Sequence, residues 1–308
     1  MSELSVIIPT RCLDGRILKT AYSLHKQDAG LSAMEIILVS DGGGVEYKTA
    51  EELHRLFAGL IIIEIKKSGP AAARNAGLAR ASGRLVLFTG DDIIFSPGAF
   101  RAHLLAHRGL DKPGAVCGST VFDPSLRRTP FMDYLSGAGP QFDPERFPDG
   151  AELPFGYFIT ANLSVDSRLI RDIGGFDANY GHPALEDTDY GYRAARKGYK
   201  LYYAKAAAAA HCHAPSLTGF AQRERHRGEA LRYFICKFPE LAEKEGISVA
   251  ALKKYRRLAS SGAVSWMAGR AALLEGFINL MPASIRRRIY KGLLDYQVLK
   301  GYADEPAR

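Results

Sequence analysis

Two adjacent carboxylates, Asp91-Asp92, stand directly after the apolar run Arg84–Phe88. A carboxylate aimed off the end of a buried strand suits Mg2+ or Mn2+, which take one or two protein carboxylates and fill the octahedron with phosphate oxygens and water. Asp92 is the expected metal ligand, and capping of a helix near Pro97 is the competing account of the pair. His211-Cys212-His213 places two imidazoles on one face of an extended strand, and either His211 or His213 would complete a carboxylate site that lacks ligands. Glu186-Asp187-Thr188-Asp189 opens a helical stretch after the irregular Gly181-His182-Pro183. Acids there are stabilised by the helix dipole alone, but a rigid helix start beside a loop also suits a base that must come within about 3 Å of a hydroxyl.

Two glycine-rich stretches complete the set. In Val39-Ser40-Asp41-Gly42-Gly43-Gly44 a carboxylate follows a strand and the glycines permit close backbone approach, so Asp41 is placed to accept from a base or ribose, or else belongs to an ordinary Asp-Gly turn. This is not a dinucleotide fingerprint, because the turn after the first strand reads Pro9-Thr10-Arg11-Cys12 without the required glycines. Gly69-Pro70-Ala71-Ala72-Ala73-Arg74-Asn75-Ala76-Gly77 reads as a helix packed close to a sheet, with Ser68 as its cap. Its N-terminus and the Arg74 guanidinium suit a diphosphate, and a surface arginine on a close-packed helix is the alternative.

The elements that must carry these residues are four short strands, Leu4–Ile8, Glu35–Val39, Leu60–Ile65 and Arg84–Phe88, alternating with helical segments at 15–27, 46–57 and 70–81. Such alternation predicts a doubly wound, mostly parallel α/β sheet, in which ligands bind beyond the carboxyl ends of the strands. From about Ala115 the pattern turns to mixed short strands, with a Pro- and Gly-rich span from Asp123 to Pro154 expected to loop over the site. Beyond Ser216 the chain reads as helical, and the short run Ala206–Ala210 carries no signal of its own.

Of the 41 Lys and Arg, 17 lie in residues 211–308, as do 9 of the 33 Asp and Glu, leaving 24 of each before them. The whole net charge of +8 is therefore C-terminal, pointing either to an anionic partner or to solvated helix faces. Val264–Met281 with Arg286-Arg287-Arg288 reads as an interfacial helix or as a helix packed on the core. Composition, at 47% hydrophobic and 24% charged, excludes disorder throughout. The four cysteines lack a zinc-knot spacing and fit reduced thiols, while no basic leader and no apolar run of about 18–20 residues is present. A cytoplasmic protein is expected, with peripheral contact to an anionic membrane at its inner face as the further expectation.

The ordered combination of these motifs over residues 4–237 resembles glycosyltransferase family 2, whose catalytic core has the GT-A fold. Val6-Ile7-Ile8-Pro9-Thr10, Val39-Ser40-Asp41-Gly42-Gly43 and Arg74-Asn75-Ala76-Gly77 are similar to the family's opening strand, nucleotide turn and Arg-Asn-x-Gly helix. Thr89-Gly90-Asp91-Asp92 occupies the DxD position with Gly90 in place of the first acid. The resemblance implies a nucleotide-sugar site at Pro9, Thr10, Arg11, Asp41, Arg74, Asp91 and Asp92, with Asp91 near ribose and phosphate. It implies a divalent cation, Mn2+ or Mg2+, on Asp92 and on His211 or His213. Gly174-Gly175-Phe176-Asp177 with Glu186-Asp187 is similar to the acceptor-side motif, which makes Asp187 the general base and Glu186 an acceptor-positioning residue. The implied reaction is inverting transfer from a nucleotide-diphospho-sugar, UDP by default, to a hydroxyl of a saccharide or lipid-linked acceptor, as in bacterial surface polysaccharide assembly. The implied division is a catalytic domain over 1–237 and a basic helical region over 238–308. A sugar-1-phosphate nucleotidyltransferase would need a glycine-rich phosphate loop with a lysine after the first strand, which Pro9-Thr10-Arg11-Cys12 does not supply. A non-catalytic binding module is the other rival. Nucleic-acid binding has no accompanying motif.

Overall fold

A computed structural model describes residues 2–27, 34–137, 146–242 and 270–304, with the single positions Lys253, Arg257 and Trp266. Residues 138–145 of the expected loop span, and most of the interfacial stretch before residue 270, lie outside the described residues. The chain divides into two compact units, the first made of residues 1–126, 142–179 and 186–213, the second of 127–141, 180–185 and 214–308.

The first unit is built on a mixed sheet. Its strands are β1 (Leu4–Thr10), β2 (Met34–Asp41), β3 (Ile61–Ile65), β4 (Leu85–Thr89), β5 (Ile93–Phe95), β6 (Ala115–Phe122), β7 (Glu152–Leu153), β8 (Asn162–Asp166) and β9 (Leu201–His211). Among the described residues they run in the order β3-β2-β1-β4-β8-β6-β9-β5, with β7 also paired to β9. The four N-terminal strands are parallel, as their mostly apolar runs alternating with helical segments predict. One layer of core holds Val6, Ile8, Leu38, Leu87 and Phe100, the other Ile7, Ile37, Val39, Phe88 and Tyr190.

Beyond β4 the sheet becomes mixed: β8 runs antiparallel to both β4 and β6, and β5 and β7 antiparallel to β9. The alanine run Ala206–Ala210 lies inside β9, so a composition that favours helix is overridden by its neighbours. Small side chains are needed there. A Cβ on Gly118 of β6 would stand 2.3 Å from both the Ala207 carbonyl and the Asn162 amide, and the β6–β9 register jumps between Gly118↔Ala204 and Thr120↔Ala209.

Around the sheet lie α1 (Leu18–His25), α2 (Tyr47–Leu56), α3 (Pro70–Leu78), α4 (Ala99–Arg108), α6 (Ser167–Ile173) and α7 (Glu186–Arg196). The second unit contains α5 (Pro130–Gly137), α8 (Leu217–Lys237), α9 (Ala271–Asn279) and α10 (Ala283–Ala303). Helices α8 and α10 cross at two glycines. A Cβ on Gly228 would sit 1.9 Å from the Val298 carbonyl, and one on Gly301 at the same distance from that of Arg225. No helix among the described residues is long and apolar enough to cross a membrane.

Candidate active site

Every site residue expected from the sequence lies in the first unit, at the carboxyl ends of β1, β2, β4 and β9 or at the start of a helix. Asp91 and Asp92 lie with Gly90 in the three-residue turn between β4 and β5 and cap no helix; α4 starts after Gly98 with no side-chain cap. The Thr10 hydroxyl donates to Asp91 Oδ2 at 2.5 Å and the Thr20 hydroxyl to the Asp91 carbonyl at 2.9 Å. Burial holds the Asp91 carboxyl above the usual carboxylate range; the Thr10 hydrogen bond opposes this and the neighbouring Asp92 adds to it.

The antiparallel pairing Ile93↔His211 delivers the end of β9 to this turn. His211 Nε2 stands 3.2 Å from Asp92 Oδ2, and the Cys212 N–H donates to the Asp92 carbonyl at 2.9 Å. Two ligands about 2.1 Å from one octahedral ion are separated by about 3 Å along an edge, so this nitrogen and oxygen are spaced as neighbouring ligands of Mg2+ or Mn2+. His213 is exposed, and its backbone N–H points at His211 Nδ1 at 3.3 Å. Of the two candidate imidazoles, the structure therefore puts His211 against Asp92.

A buried polar chain fixes the strands that carry His211. Asn162 on β8 donates its amide hydrogens to the Ser119 and Ala207 carbonyls, one on each side of the β6–β9 register jump. Its Oδ1 must then accept, so His103 Nε2 at 2.8 Å carries the proton. His103 Nδ1 accepts from the Ser164 hydroxyl at 2.8 Å, which in turn accepts from His107 Nε2 at 2.8 Å. Both rings are neutral in this arrangement. Burial pushes the pKa of His103 down to about 4, and burial with the adjacent His103 pushes that of His107 down to about 3.

The glycine turn after β2 is shaped by contact. A Cβ on Gly43 would lie 1.9 Å from the Arg11 carbonyl, and Gly42, at φ 83°, would strike the Lys67 backbone. The turn thus lies against the Pro9-Thr10-Arg11 segment, and backbone hydrogen bonds from Leu13 to Gly44 and from Glu46 to Leu13 hold it there. Asp41 accepts from the backbone N–H groups of Ser68 and Gly69 at 2.6 and 2.9 Å. The residue before α3 is Gly69, at φ 87°, and the Ser68 hydroxyl turns back to the Lys66 carbonyl. Ser68 is not the cap; the turn into α3 is held by Asp41.

Helix α3 also differs from expectation. Arg74 does not extend into open space: its Nη1 donates to Glu186 Oε1 at 2.8 Å, its guanidinium lies over the Phe176 ring, and the two side chains are 12% and 5% exposed. Its Nε is buried without a hydrogen-bond partner. Asn75 grips the backbone of Phe176 at both ends, accepting from its N–H and donating to its carbonyl at 2.8 Å each. Gly175 leaves room for that grip, since a Cβ there would be 2.5 Å from Asn75 Oδ1, and Gly77 lets α3 approach Ile7. No feature of the sequence signalled the Asn75 clamp, the Thr20 contact or the two buried histidines.

In α7 the three acids separate by role. Asp189 is fully buried and binds Arg193 Nε at 2.7 Å, while the other nitrogens of Arg193 hold the Ile173 and Gly175 carbonyls. Glu186 belongs to Arg74. Asp187 Oδ1 accepts from the Thr188 N–H at 2.8 Å, and its charge reaches Cys117 at the middle of the sheet, whose thiol burial pushes up to about 12. Leu185, at φ 63°, enters the helix in a left-handed conformation that costs a branched residue about 1 kcal/mol or more.

Strand-end carboxylates beside a histidine in a mostly parallel sheet are the features on which a family assignment can be checked. The chain belongs to glycosyl transferase family 2, whose profile matches residues 5–161. It is 25% identical over 261 residues to the pre-mycofactocin glycosyltransferase of Mycobacterium tuberculosis, covering 81% of this chain and 51% of that one. It is 26% identical over 216 residues to the validoxylamine A glucosyltransferase of Streptomyces hygroscopicus subsp. limoneus, covering 62% and 47%. The chain spans about half the length of these curated relatives. Among solved structures, a mannosyltransferase of Pyrobaculum calidifontis in complex with GDP-Man and Mn2+ aligns with a TM-score of 0.60 at 16% identity, over 98% of this chain and 88% of that one. S. aureus TarS residues 1–349 in complex with UDP aligns at 0.54 and 17% identity, over 97% and 90%. The fold is that of the GT-A glycosyltransferases.

Proposed function

We propose that the protein transfers a sugar from a nucleoside-diphospho-sugar to a hydroxyl of a saccharide or lipid-linked acceptor, with inversion at the anomeric carbon. The observation that carries this reading is the approach of Asp92 to His211 at 3.2 Å beside the buried Asp91, in a chain of this family. The donor set of one carboxylate oxygen and one imidazole nitrogen fits Mn2+ or Mg2+, which when bound neutralises the diphosphate of the donor. That the mannosyltransferase was solved with Mn2+ and GDP-Man, and TarS with UDP, supports a metal-held nucleotide sugar here.

Asp92 and His211 hold the cation, and His213, the other candidate imidazole, has its ring 6.3 Å from that of His211. Thr10, Arg11 and Pro9 form one wall of the nucleotide site and Asp41 the other, where it accepts from a base or ribose. Asp91, locked by Thr10, orients the ribose and phosphate side. Asp187 takes the acceptor proton as the hydroxyl attacks, and Glu186, held by Arg74, fixes the first turn of α7 from which Asp187 projects. Arg74 thereby acts on the acceptor side through Glu186. The exposed Phe277, Leu280 and Ile285 near Arg287 and Arg288 support peripheral contact with an anionic membrane surface.

The test is turnover and hydrolysis of UDP-, GDP- and dTDP-sugars with and without Mn2+, in wild type and Asp92→Asn. Metal-dependent release of the nucleoside diphosphate that is lost in the variant is the expected result. Metal-independent release, or equal release by the variant, refutes the site.

A further inference from the structure

Outside the catalytic crevice, His182, His226 and Glu229 gather in the second unit, with one ligand atom from each lying within 4.8 Å of the others. His226 and Glu229 are spaced i, i+3 on α8 and so share a face of that helix. His182 comes from the Gly181-His182-Pro183 segment and lays its ring parallel to that of His226, with centroids 3.8 Å apart and 5° between planes. Stacking of two like rings requires that at least one be neutral, the form that ligates metal.

We propose that these three residues bind a borderline divalent cation, Zn2+ foremost, at a site separate from Asp92 and His211. Two imidazoles and one carboxylate are a donor set that zinc takes in tetrahedral sites, with the fourth position left to water. Ligands about 2.1 Å from a tetrahedral ion are about 3.4 Å apart. The three atoms start within 4.8 Å of one another, and because each lone pair lies in its own ring plane the parallel His182 and His226 rings would turn out of their stack to meet one ion. The cation would also compensate Glu229, whose neighbour Arg225 approaches only to 3.9 Å and is held at 2.8 Å by Asp304. Cation binding would fasten segment 180–185 to α8. That segment runs through the left-handed Leu185 into Glu186 and Asp187, so the ion would fix the stretch immediately upstream of the proposed base.

The site is tested on the full chain without a histidine tag, stripped with chelator, and carrying Asp92→Asn and His211→Ala to silence the other cation site. Titration with Zn2+ against a chromophoric indicator is expected to give one ion per chain and a Zn2+-dependent rise in the unfolding midpoint. His182→Ala, at an exposed loop position, should weaken binding at least about tenfold and abolish the Zn2+-dependent rise measured against the variant's own metal-free midpoint. Glu229→Gln should do the same. Absence of a bound ion in the parent overturns the site, as does binding by both variants as tight as the parent's.

Discussion

Acidification should weaken the first unit through His103 and His107, by an amount the structure allows to be worked out. Both folded-state pKa values lie below the unfolded value of 6.5, at about 4 and about 3, so the unfolded chain takes up protons first as pH falls. Stability is fully present above 6.5 and is lost on the way down to those values. From pH 7 to pH 5, a histidine that titrates near 6.5 only when unfolded costs about 2 kcal/mol, so the pair costs about 4 kcal/mol. The cause is structural. A proton on His103 Nδ1 would confront the Ser164 hydroxyl, whose oxygen already accepts from His107, and Asn162 cannot turn without releasing Ser119 and Ala207. Asp166 favours protonation of His107 and Arg84 opposes it, and both are outweighed by burial. The assay is the urea midpoint by far-ultraviolet circular dichroism at pH 7, 6 and 5. His107→Gln keeps a donor for Ser164 without a titrating ring, so its loss over the interval should be smaller than that of wild type by about 2 kcal/mol. Equal losses in the two proteins would refute the neutral buried chain.

Asp187→Asn should lower turnover by orders of magnitude with donor affinity largely retained, read from kcat beside equilibrium binding of a nucleoside diphosphate; near-normal kcat rejects the base assignment. Arg74→Met leaves Glu186 buried with its ion partner gone and should cost about 3–5 kcal/mol in urea unfolding, most of it recovered in the double variant with Glu186→Met. Gly43→Ala should weaken nucleoside diphosphate binding at least about tenfold, because the turn must move off Arg11 by more than 1 kcal/mol of contact; isothermal titration measures it. His211→Ala should raise the Mn2+ concentration needed for half-maximal activity while Cys12→Ser leaves it unchanged.

The parallel half of the sheet was legible because β1, β2, β3 and β4 each carry a run of three or more consecutive apolar residues and alternate with helical segments. The mixed half was legible only as a change of pattern. Strand β9 is written largely in alanine, whose presence answers to Gly118 and Asn162 on other strands and not to any local propensity. At the site, Asp91, Asp92 and His211 could be picked out because the acids follow an apolar strand and a His-x-His puts two imidazoles on one strand face, although choosing between His211 and His213 required the register of β5 against β9. The Arg74 pair was hidden by distance. Its partner lies 112 residues away, and a guanidinium at a helix start reads the same whether it meets a phosphate or a buried carboxylate.

Helix α3 bears on how such enzymes are recombined. Two neighbouring residues of it, Arg74 and Asn75, hold both Glu186 and the Phe176 backbone, so the helix that Asp41 anchors after β3 is also the fixture for the start of α7. A chimera that takes residues up to about 110 from one parent and the remainder from another would cut through this joint. The parents would need matching Arg-Asn-x-Gly and Gly-Gly-Phe-Asp segments for the product to hold the first turn of α7 in place. Donor and acceptor preferences of this chain should therefore be exchanged by grafting the surface loops around the joint, with α3 and the first turn of α7 always inherited together.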